Sequence, residues 1–255
     1  MNVYRILGIS DGEDFCRHDP RGNFIPIERI DSVEKPPIVS NMIKDMVMSH
    51  IAGGVWSPSG ILDMSFSEIM DNIISHSESP SFGIVGAQYY QNSKNNSTDY
   101  VEMCVADGGQ GIVASMGANP NYKDFTPEEM MRRAIEQGYG QYIGMPAFVN
   151  EKTSGGMGLA YPNRLVRALG GKMWIVSHQY ALEVSSDGIN EISGLFYPGT
   201  IVSIRLPVKP GAVVMMSQMF PGQEDVPITW CSQEGWTDLS GSQLGVGGDA
   251  DGFLW

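Results

Sequence analysis

The chain has 255 residues, 42% hydrophobic and 18% charged, values that fit one substantial globular domain, or one domain with extensions, and a real core. Its 16 basic and 29 acidic residues give a net charge of -13, which argues against a nucleic-acid partner, because gripping phosphates needs a basic face. Cys16, Cys104 and Cys231 lie far apart with no CxxC pair, no apolar run has the length of a membrane span, and residues 1–15 carry no secretory pattern, so the expectation is a reduced, cytoplasmic chain off the membrane.

Residues 1–35 give turn signals and little else. After Pro36-Pro37, apolar residues recur at helical steps (Ile38, Val39, Met42, Ile43, Met46, Val47), and Gly53-Gly54 closes that helix. A second helix is expected over 62–77, with Phe66, Ile69, Met70, Ile73 and Ile74 as its stripe. Residues 82–90 and 100–106 read as strands joined by a polar loop. Thr126-Pro-Glu-Glu129 is a capping box that opens a helix stopped by Gly138. Residues 138–158 are rich in glycine and read as mobile. A helix follows over 159–169, then strands over 172–177 and 200–206, with one more within 180–196. Past Pro207 the character changes, and Pro, Gly, Ser, Asp and Gln dominate residues 221–255.

Three short motifs carry the chemistry. Glu68 and Asn72 are one turn apart and project from the same side of their helix, offset from the apolar stripe, with His76 one turn further. The amide oxygen suits Mg²⁺ beside a polyphosphate, and the carboxylate can take a proton from an attacking hydroxyl or water. A plain solvated helix face would look the same. Asp107 ends an apolar strand and is followed by Gly109 and Gly111, whose backbone can turn sharply and admit a flat ring. Buried there, it needs a donor such as an amino group on a purine; an ordinary Asp-Gly turn is the alternative. Gly155-Gly156-Met157-Gly158 precedes a helix and can offer backbone N–H groups to phosphates, or be a flexible connector. His18, His50 and His178 show no partner spacing and read as structural or exposed. Asn163, Arg164 and Arg167 read as surface or packing residues, and Cys104 as a small buried hydrophobe.

In this order the motifs resemble those of the GHKL superfamily, the Bergerat-fold ATPases. Glu68-x-x-x-Asn72 is similar to the N box, Asp107-x-Gly109-x-Gly111 to the next box, Gly156-x-Gly158-Leu159 to the lid box and Gly199-Thr200 to the last strand. The likeness is strongest to small bacterial ATP-binding proteins with a histidine-kinase-like ATPase domain, including anti-sigma-factor kinases. It implies an α/β two-layer sandwich, with a mixed, mostly antiparallel sheet and helices on one face. It also implies an ATPase domain over 60–207, an amino-terminal extension over 1–59 that packs on it, and a carboxy-terminal extension over 208–255. By resemblance Glu68 is the catalytic base and Asn72 the Mg²⁺ ligand. Asp107 takes the adenine amino group with Thr200 beside it, and Gly109, Gly111 and Ile112 line the nucleotide. Gly156, Met157, Gly158 and Leu159 hold the triphosphate of ATP, and His76 lies near the ribose and phosphates.

Two readings of function stand. One is an enzyme that hydrolyses ATP or passes its γ-phosphate to a partner protein. The other is a slow, ATP-gated interaction module in which the segment between Asp107 and Gly155 and the carboxy-terminal segment control partner binding. The latter segment also reads as a loosely packed or disordered tail. A homodimer is left open, and no phosphoacceptor-histidine hairpin is evident in the sequence.

Overall fold

The computed structural model describes residues 22–51, 58–76, 82–91, 98–136, 158–209, 211–228, 230–232, 235–237 and 243–244. In chain order the elements are β1 (Phe24–Ile30), α1 (Lys35–Ser49), α2 (Ser59–His76), β2 (Gly83–Tyr90), β3 (Tyr100–Asp107), α3 (Gly111–Gly117) and, after a 3-10 turn at Pro120–Tyr122, α4 (Pro127–Arg133). Then come α5 (Ala160–Leu169), β4 (Lys172–His178), β5 (Tyr180–Ser185), β6 (Gly188–Ile192) and β7 (Tyr197–Pro207). The short β8 (Val214–Met215), α6 (Met216–Met219), β9 (Pro227–Ile228), β10 (Trp230–Ser232), β11 (Gly235–Thr237) and β12 (Gln243–Leu244) complete the described part.

Strands β1 to β7 form one seven-stranded sheet in the order β1-β2-β3-β7-β4-β5-β6. Every neighbouring pair in it is antiparallel, so the mixed character expected from the sequence is absent among the described residues. Alternation assigns its two faces. Val85, Val105, Val202 and Ile175 lie in register on adjacent strands and are all buried, as are Met103, Ile204 and Met173 one step along. The other face carries Glu102, Cys104, Arg205 and Trp174. Cys104 is exposed on that face, which corrects its reading as a buried hydrophobe.

The helices supply the second layer, an α+β arrangement compatible with a two-layer sandwich. Helix α2 packs on β2 and β3, and α5 packs on β4, β5 and β7. Ile61, Leu62, Phe66, Ile69 and Met70 of α2 are buried, each contributing roughly 1.5–3 kcal/mol by leaving water. In α1, Val39, Ile43, Met46 and Val47 are buried, whereas Ile38 and Met42 of the same apolar pattern are exposed. The capping box at Thr126 forms: its hydroxyl accepts from Glu129 N–H at 3.2 Å and the Glu129 carboxylate accepts from Thr126 N–H at 2.7 Å.

Strand β1 and the segment from Val208 to Ile228 gave no clear signal in the sequence, yet both join the core. Ile25 and Ile30 of β1 are buried, and so are Val208, Val214, Met216, Met219, Phe220 and Ile228. Phe220 meets Tyr161 of α5 edge to face at 5.6 Å, and the Arg164 guanidinium donates to the Met219 carbonyl. Residues 180–196 hold two strands, β5 and β6, where one was expected.

Candidate functional site

Helix α2 places Glu68, Asp71 and Asn72 at the border of its buried stripe, half-buried, beside fully buried Ile69 and Met70. Burial lifts the Glu68 carboxyl from 4.5 to about 7, with repulsion from Asp71 as the smaller cause. Burial also raises the Asp71 carboxyl above its usual range. His76 is the last residue of α2, and its side chain lies outside the described residues, as do Gly156 and Met157.

Gly158 lies against Asn72. A Cβ on Gly158 would stand 2.6 Å from Asn72 Oδ1 and 2.8 Å from Nδ2, so glycine lets this backbone meet the amide without displacing it. The contact joins two motifs 86 positions apart (158 − 72). Leu159, buried in the core, is the residue before the first turn of α5.

At one end of the sheet, on the helix-covered face, Gly83, Asp107, Thr200 and Ser177 lie side by side on β2, β3, β7 and β4. Asp107 is 8% exposed, and burial raises its carboxyl above the usual range, although backbone N–H groups of Gly109 and Thr200 hydrogen-bond to it. The Gly109 bond to Oδ1 is 2.7 Å. A carboxylate has about four acceptor positions, so capacity remains for a further donor. Gly199 takes φ +140°, and a Cβ on it would collide with the Asp107 carbonyl oxygen.

After Asp107 the chain turns through Gly108 to Gln110 into α3. Gly111 has φ +79°, and a Cβ on it would stand 2.6 Å from His178 Cδ2 and 2.7 Å from Ser177 Oγ. The room beside Gly111 is thus taken by β4 side chains, a different reason for glycine from the approach of a ring. Ser177 Oγ accepts from Ile112 N–H at 2.9 Å and lies 3.5 Å from Thr200 Oγ1. His178 Nε2 is 2.9 Å from the Gln110 carbonyl. Sequence reasoning missed Ser177 altogether and read His178 without a partner; no local signal marks either one.

The candidate residues therefore form two groups, Glu68, Asn72 and Gly158 with Leu159, and Asp107, Gly109, Gly111, Ile112 and Thr200. The packing of α2 on β3 links the helix of the first group to the strand of the second. Asn163, Arg164 and Arg167 of α5 donate to carbonyls of Ile135, Met219 and Ser185, which are structural roles. Among the described residues no cluster of three His, Cys, Asp or Glu side chains could hold a metal by itself. Nor is any helix among them long and apolar enough to cross a membrane. No protein-family model matches the chain, and comparison with curated proteins and with solved structures found no match.

Proposed function

We propose that this chain binds Mg-ATP in the GHKL manner and hydrolyses it or passes its γ-phosphate to a protein hydroxyl. The observation that carries the reading is the meeting of Gly158 with the Asn72 amide, which puts an oxygen donor beside the backbone leading into α5. A helix start of this kind offers N–H groups and a positive dipole end to phosphate. Glu68 stands one turn from Asn72 with its carboxyl near 7, where a base is poised to take a proton at neutral pH. Asp107, buried with unused acceptor capacity, suits an exocyclic amino group, with the Thr200 hydroxyl on the neighbouring strand.

The donor set fits a hard divalent cation. Asn72 and the carboxylates of Glu68 and Asp71 are oxygen donors, and Mg²⁺ typically takes one or two protein oxygens with the rest from phosphates and water. Asn72 would hold the ion, which when bound neutralises phosphate charge. Glu68 would orient and deprotonate the attacking O–H, and Asp107 would fix the base.

The test is turnover and binding of Mg-ATP by the wild type, Glu68→Ala and Asn72→Ala. An enzyme gives a Glu68→Ala variant that binds without turnover and an Asn72→Ala variant that loses Mg-dependent binding. Binding with negligible wild-type turnover would favour the gated-module reading, and absence of binding would defeat both.

A further inference from the structure

Strand β4 ends in a corner whose two residues both reach the turn after Asp107. Ser177 and Tyr180 are paired, so His178 and Gln179 form a two-residue hairpin loop. His178 takes φ +53°, and it alone among the described non-glycine residues has a positive φ. Tight hairpin loops of this length favour Gly, Asn or Asp at such positions, because a Cβ there is strained. A histidine held in this conformation calls for a reason in its side chain. That side chain reaches across to the Gln110 carbonyl at 2.9 Å and abuts Gly111. Its predecessor Ser177, fully buried, accepts from Ile112 N–H and sits next to Thr200 Oγ1. One corner therefore grips both flanks of Gly111 and the strand end that faces Asp107.

We infer that Ser177 and His178 are positioning residues for purine selection, fixing the turn after Asp107 so that its carboxylate faces an amino group on the base. The inference rests on the Mg-ATP reading. Neither residue is assigned contact with the nucleotide. Each acts through the backbone of Gln110 to Ile112, and Ser177 also through the Thr200 hydroxyl.

The test compares Mg-ATP with Mg-ITP by isothermal titration of the full chain. The two ligands share sugar and phosphates, but ITP carries a carbonyl in place of the amino group. Wild type should prefer ATP. His178→Gly relieves the strained backbone, so its melting temperature should stay near that of wild type while its ATP-over-ITP preference falls by at least about fivefold, the worth of one hydrogen bond. Ser177→Ala should lose a similar share of the preference and provides the result if the glycine variant does not fold. Thr126→Ala, which weakens the cap of α4, should keep it. If both corner variants retain the wild-type ratio, or if wild type binds ATP and ITP equally, the inference is overturned while ATP binding stands. If wild type binds neither ligand, the nucleotide reading itself fails.

Discussion

Replacing Glu68 by Gln should stabilise the fold, and the gain should depend on pH. Glu68 is held where burial opposes its charge, so its carboxyl titrates near 7 in the folded chain against about 4.5 when exposed. A raised carboxyl binds its proton more tightly in the native state. Below about 4.5 both states are protonated and the native state suffers no penalty; as pH rises toward 7 the unfolded chain ionises freely while the folded one resists. Stability is thus lost across that window. At roughly 1.4 kcal/mol per tenfold change in proton affinity, the loss by pH 8 amounts to about 3 kcal/mol, an upper figure because Glu68 keeps some contact with water. Glutamine carries no charge, so Glu68→Gln should exceed wild type by up to about 3 kcal/mol at pH 8 and match it near pH 4. Urea titration of both proteins at several pH values measures this. A difference that is constant with pH, or that shrinks as pH rises, would refute the placement of Glu68 in a desolvated position. Loss of turnover in the more stable variant would be the familiar trade between stability and catalysis.

Gly158→Ala should lower stability by about 0.5–1.5 kcal/mol by pushing the Asn72 amide, the movable end of its side chain, off its rotamer. In a double-mutant cycle Asn72→Ala should recover part of that loss, which thermal unfolding of the four proteins would show; additive effects would remove the contact from the account. Gly199→Ala should cost more, at least about 3 kcal/mol, because its φ of +140° and the Asp107 carbonyl both reject a side chain, and expression with a melting scan checks this. Thr126→Ala should cost about 1 kcal/mol by losing the cap of α4, read from chemical denaturation.

The parts of the fold that the sequence announces are those with a strong local period or a local cap. The Phe66, Ile69 and Met70 stripe yields α2, and the Thr126 to Glu129 box yields α4, because their signals lie within one or two turns. Strand β1 is different: it gains its place only through pairing with β2, more than fifty positions later, and its own residues alternate weakly. The segment from Val214 to Ile228 is similar, since short elements rich in turns show little period and are fixed by packing on α5. The same contrast holds in the candidate site. Glu68, Asn72, Asp107 and Thr200 announce themselves by motif spacing. Ser177 and His178 do not, because their partners at Ile112 and Gln110 lie 65 and 68 positions away. Gly111 was legible as a glycine with a purpose, but which group crowds it emerges only when β4 is laid beside α3.

The most direct measurement is equilibrium binding of ATP to the full chain, with Mg²⁺ and with a chelator, for the wild type, Asn72→Ala and Asp107→Asn. Wild-type binding should be saturable and should weaken when Mg²⁺ is removed. Asn72→Ala should lose the Mg²⁺ dependence, and Asp107→Asn should bind at least about tenfold more weakly, because a buried acceptor becomes a mismatched amide. No saturable binding by the wild type, or equal affinity in all three proteins, would contradict the Mg-ATP reading.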